Sequence, residues 1–128
     1  MLSRASVNKL TTLLALPASG QEQDWDIELA DADRIGQFLK MYETATLSAE
    51  DKFALMALMV ASVDRYIEMH AVVPKEWQRI EELLQHDSAM HLATINYWAC
   101  LDTDDLEGWF PLTPHIRRTR ATLGRQQQ

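Results

Sequence analysis

Cys100 is the only cysteine in the chain, so an intramolecular disulfide is excluded. A fold stabilised by burial alone is expected, and the missing bridge favours a cytoplasmic location. Glycine is also sparse, with Gly20, Gly36, Gly108 and Gly124 all isolated. Loops that cradle phosphate need clustered glycines to bring backbone N–H groups onto the anion, so nucleotide-binding loops of the usual types are excluded. The sequence contains no H-E-x-x-H, G-x-S-x-G or C-x-x-C pattern. Without these signatures the expectation leans against an enzyme and calls for no cofactor.

Long apolar runs are also missing. The densest, FALMALMVASV at 53–63, falls short of the about 20 apolar residues that cross a bilayer, so no membrane association is expected. The opening MLSRASVNKLTTLLALPASG has a faint likeness to a signal peptide, but its apolar stretch is short and carries two threonines. The expectation is that it belongs to the folded protein. Positive charge is scarce as well: 12 Lys and Arg face 19 Asp and Glu, for a formal charge of −7. The imbalance is uneven, because residues 115–128 hold four Arg and no acid. Only this last segment has the sign that a phosphate backbone requires, so nucleic acid is not the expected partner.

What is present is 47% apolar residues in a chain of 128, enough to bury a core without metal or disulfide. The expected architecture is all-α: a single domain over 1–128, a bundle of five or six helices around a central apolar helix, with flexible ends at 1–5 and 124–128. Val7, Leu10, Leu13 and Leu14 have helical spacing, with Ser6 as candidate cap, until PASG at 17–20 breaks the run. Ile35, Phe38, Leu39 and Tyr42 predict a second helix, capped by Asp31 or Asp33 and ending near Thr44. Ser48 and Asp51 form a variant capping box before the most apolar stretch, and this predicts the central helix over 49–70. Trp77, Ile80, Leu84, His91, Ile95 and Trp98 keep one face through Leu101, with a candidate break at His86-Asp87-Ser88. Thr113 and Pro114 open a final helix. Its Arg117, Arg118 and Arg120 suit solvent or the negative end of a helix dipole. Between 24 and 29, Trp25, Ile27 and Leu29 alternate with acids, which predicts a short extended segment.

The strongest candidates for chemistry are histidines. Glu82 and His86, and Asp87 and His91, are each four apart, a spacing that lets a carboxylate orient an imidazole. Five residues of helix turn through about 140°, however, so His86 and His91 cannot meet one ion without a break. The expected role of His91 and His70 is packing at the core edge. A metal-binding or metal-dependent helical enzyme, built on His86, His91, Asp87 and a carboxylate from the Asp64 to Glu68 turn, is the alternative; no metal ligand is assigned. Cys100, within YWACL, reads as an inert buried thiol. Met56, Met59, Met69 and Met90 read as core filling.

The remaining signal is acid beside aromatic. QEQDWDIELADAD at 21–33 carries six carboxylates, no base and one Trp, and DDLEGWF repeats the combination at 104–110. Negative charge steers a basic partner, and aromatic side chains anchor interfaces because they bury large area with few torsions to freeze. The expected partner-binding residues are therefore Asp24, Trp25, Asp26, Glu28, Asp104, Asp105, Glu107 and Trp109. Together they predict a non-catalytic acidic module that binds a basic protein, in its most concrete form an inhibitor or immunity-type protein that neutralises its target. An oligomeric assembly or scaffold protein, self-associating through the same aromatics, is the second alternative.

Overall fold

The computed structural model describes residues 2–126. Among them are seven α-helices and one 3₁₀ turn, with no strand: α1 (Arg4–Leu13), α2 (Trp25–Glu28), α3 (Ile35–Thr44), α4 (Ala49–His70), α5 (Trp77–His86), α6 (Ser88–Ala99), the turn Leu106–Gly108, and α7 (Thr113–Gln126). The all-α architecture and its central helix follow the sequence pattern. Residues 54–63 of α4 are buried on every side, which is why its apolar residues overflow a single stripe. Helices α1, α2, α3 and α6 pack on α4, while α5 and α7 pack on α6.

The start of α4 is fixed by the capping box read from the sequence: Ser48 Oγ accepts the Asp51 N–H at 3.1 Å, and the Asp51 carboxylate accepts the Ser48 N–H at 3.1 Å. Asp51 does more than cap. It accepts from Ser6 Oγ and from Lys9 Nζ, each at 2.7 Å, and so joins α1 to α4. The Lys9 ammonium, with help from Ser6 and the Ser48 N–H, pulls its carboxyl pKa down to about 2. Ser6 is therefore an interhelical donor and not the cap of α1; that role falls to Ser3, whose Oγ accepts the Ser6 N–H.

Two further expectations change. The 24–29 segment is not extended, because Trp25 and Leu29, four apart, both face the core while Glu28 accepts the Asp24 N–H at 2.8 Å. A single helical turn and a short strand share much of their apolar pattern, and here the hydrogen bonds decide for the turn. The cap of α3 is Arg34, with no side-chain capping bond; Asp31 instead accepts the Asp33 N–H. The break at Asp87 is real and separates α5 from α6. Helix α7 continues through Gln126, and residues 127 and 128 of the expected flexible end lie outside the described residues, as does residue 1.

Short helices leave carbonyls unpaired at their C-termini, and three arginines close them. Arg34 donates to Leu14 O beyond α1, and Arg65 donates to Ile27 O and Ala30 O around the end of α2. Arg117 donates to Ala99 O, Cys100 O and Thr103 O at the end of α6. Thus Arg117 does sit at the negative end of a helix dipole, but the helix is α6 and not its own α7. These three cations are committed to the architecture.

Candidate functional site: an acid-rimmed aromatic groove

The expected anchors do not both reach the surface. Trp25 is 4% exposed, and its indole N–H donates to Thr11 Oγ1 at 3.0 Å, so it is a core side chain bridging α2 and α1. Its assignment as a docking aromatic is corrected: an indole attached to a one-turn helix lying on α1 and α4 buries more area inward than it could offer outward. Trp109 is half-buried and already occupied. Its indole N–H donates to Thr103 O at 3.0 Å, and the Arg117 guanidinium lies over its ring at 4.1 Å from the centroid.

The acids divide in the same way. Asp104 forms an ion pair with Arg117 at 3.1 Å, and Asp105 accepts the Glu107 N–H at the start of the 3₁₀ turn; Glu107 is exposed. Asp24 and Glu28 are also exposed and Asp26 is half-buried, yet none of these three pairs with a Lys or Arg among the described residues. The carboxyl pKa of Asp26 is raised because partial burial disfavours its charge, a cost increased by neighbouring Asp24.

Asp24 and Asp26 border a groove of about 210 Å3 whose other walls include Ile27, Phe53, Tyr97 and Trp98. It opens where α2, α4 and α6 converge. Tyr97 is the exposed aromatic there, with 51% of its surface open. It packs edge-on against Trp98 and stacks on Phe110 at 5.6 Å, so one ring joins the acidic α2 segment to the second aromatic segment. Burial first, then the charges of Asp26 and Asp24, raises its phenol pKa and keeps the hydroxyl neutral. Sequence reasoning missed Tyr97 because it places Trp98 on the buried seam and passes over the adjacent residue. The available signal was that α6 is apolar nearly all round: Leu92 and Tyr97 remain about half exposed beside the buried Ile95 and Trp98.

The histidines do not assemble a centre. The His86 side chain is exposed and meets only Asp87, at 3.1 Å. His91 is fully buried: Nε2 shares a 2.9 Å hydrogen bond with Tyr42 Oη, the Phe53 ring stacks on it, and Nδ1 has no hydrogen-bond partner. Desolvation lowers its pKa to about 4, against the opposing pull of Asp87. Asp64 is turned to the Leu112 N–H at 2.9 Å, while His70 is exposed and packs on Tyr66. Among the described residues, no three His, Cys, Asp or Glu side chains are grouped to hold a metal ion. Cys100 is only partly buried and serves as the left-handed C-cap of α6, with φ 50°. Met56 and Met59 are fully buried as core filling, whereas Met69 is 61% exposed.

A larger cavity of about 380 Å3 lies between α1 and the 18–25 loop, but it carries both Arg4 and Glu22 and so selects no ligand charge. No helix among the described residues is long and apolar enough to cross a membrane. No family model, curated protein or solved structure matches the chain.

Proposed function

We propose that the chain is a non-catalytic binding module that captures a basic protein through the face formed by α2 and α6. One observation carries this reading: Asp24 and Asp26 stand beside an exposed Tyr97 with no cation of the chain's described residues to neutralise them. Elsewhere five of its cations are engaged: Arg34, Arg65 and Arg117 on helix ends, Lys9 on Asp51, and Arg79 on Glu43 and Glu82. The half-buried Asp26 carboxylate, left without a cation beside the charge of Asp24, is a standing electrostatic cost, and a basic partner relieves it on binding. An inhibitor or immunity-type protein covering a cationic surface is the specific form we favour, since blocking needs shape and charge but no reacting group.

The test compares partner capture by the wild type with capture by Asp24→Lys/Asp26→Lys and by Asp104→Lys/Glu107→Lys. A basic protein recovered with the wild type, then reconstituted from purified components, should lose at least about tenfold in affinity with the first pair. The second pair should change affinity much less, and added salt should weaken the wild-type complex. Equal loss from both pairs would reduce the interaction to general acidity and remove the role of the groove.

A further inference from the structure

The geometry points to an arginine side chain of the basic partner as the occupant of the α2–α6 groove, stacked on Tyr97 and held by Asp24 and Asp26. This inference rests on the docking reading above and adds the chemistry of the recognised group. The molecule already displays that chemistry once, internally: the Arg117 guanidinium lies over the Trp109 ring at 4.1 Å and pairs with Asp104 at 3.1 Å. The groove has the same two elements, an aromatic face and carboxylates, without the guanidinium among the described residues.

Size and polarity agree. About 210 Å3 is roughly seven times the ~30 Å3 share of one water, room for one long side chain but not for a helix or strand. Ile27, Phe53 and Trp98 line it with apolar surface suited to a methylene stem, and the acids at the rim meet the charged head. Arginine fits better than lysine because a planar guanidinium stacks on an aromatic ring, forks across carboxylate oxygens and sheds water more readily than an ammonium. A second copy of the chain also carries exposed arginines, Arg118 and Arg120 on α7, but its net charge of −7 opposes self-docking.

The experiment uses two short blocked peptides that differ at one position. Each has flanking lysines; the central residue is arginine in one and its neutral isostere citrulline in the other. Binding is followed by amide shifts in isotope-labelled full-length protein. The arginine peptide should bind about tenfold tighter, with shifts at residues 24–27 and 93–98. Tyr97→Phe should keep that preference, whereas Tyr97→Ala and Asp26→Asn should each remove most of it while the helical circular dichroism is unchanged. Equal binding of both peptides at these residues overturns the arginine inference and leaves the docking reading standing. Absence of binding by either peptide counts against both. A third peptide with a central lysine that binds as tightly as the arginine peptide also overturns the inference, as does a concentration-dependent dimer broken by Arg118→Gln/Arg120→Gln.

Discussion

Two regions pair an aromatic ring with carboxylates, and they differ in where the cation comes from. At Trp109 the chain supplies its own: Arg117 stacks on the ring, meets Asp104 and satisfies three carbonyls at the end of α6. At Tyr97 no described cation arrives, and Asp24 and Asp26 remain unpaired beside a half-exposed ring. The composition is almost identical, so composition cannot distinguish a structural clasp from an open face. What separates them is whether a helix end nearby required an arginine. The 99–103 turn did, and recruiting Arg117 closed the region as a by-product. At the end of α2 that need was met by Arg65 reaching the Ile27 and Ala30 carbonyls, away from the groove.

The largest effect should come from an aromatic that is closed completely. Trp25→Ala removes a buried indole and leaves Thr11 without its donor, which should cost about 3–5 kcal/mol and lower the midpoint of thermal unfolding by more than about 10 °C. A loss under about 1 kcal/mol in urea titration would mean that Trp25 is not the core residue described above. Next, Arg117→Ala opens the clasp. Its charge-assisted bonds to Ala99, Cys100 and Thr103 are lost together, for about 3 kcal/mol, with a rise in Trp109 solvent exposure readable by fluorescence. Arg117→Lys should restore little, since a single ammonium cannot span the fork.

The titratable groups carry the same contrast between closed and open. His91 is closed, and its pKa of about 4 in the folded protein lies below the ~6.5 of an unfolded histidine. The folded state therefore refuses a proton that the unfolded state accepts. Stability should be complete above about pH 6.5, fall by about 2–3 kcal/mol as pH drops to about 4, and then level for this group. Asp51, depressed to about 2, shifts the next loss to lower pH, below the ordinary carboxyl range near 3.8. In His91→Gln the decline between pH 6.5 and 4 should flatten in urea titrations; if it persists, another group is responsible.

Helix periodicity made much of this legible in the sequence. The 22-residue α4, its Ser48 and Asp51 cap, and the break at Asp87 are set by local pattern and capping chemistry, so they could be read in order along the chain. The clasp and the groove could not. Arg117 acts on carbonyls 14 to 18 residues away, and Asp24 meets Tyr97 only because α2 and α6 both lie on α4. Local patterning also misleads when an element is one turn long: α2 alternates like a strand yet folds as a helix, and that reversal turns Trp25 inward. Asp24 and Asp26 of the 21–33 stretch therefore lie beside a different aromatic from the one adjacent in sequence, a half-exposed ring supplied by a distant helix.

The smallest effect on stability should fall on the open region, with its sign reversed. Partial burial raises the Asp26 pKa, so the folded protein holds that proton more tightly than the unfolded chain does. Above the ordinary carboxyl range, keeping Asp26 ionised then costs folding free energy, and stability declines as pH rises from its unfolded pKa through its raised folded pKa. Asp26→Asn removes the charge and keeps the shape, so it should leave the protein slightly more stable at pH 7 while weakening its hold on a basic partner. Tyr97→Ala, which loses the contacts with Trp98 and Phe110, should cost about 1 kcal/mol, less than either closed residue. Urea midpoints measured beside binding on the same samples separate the two regions. At Arg117 substitution should lower stability, whereas at Asp26 binding should fall as stability rises, the pattern expected of a residue kept at a cost to folding. If Asp26→Asn destabilises the protein, its carboxylate is a structural acceptor and the groove loses its charged rim as a site of recognition.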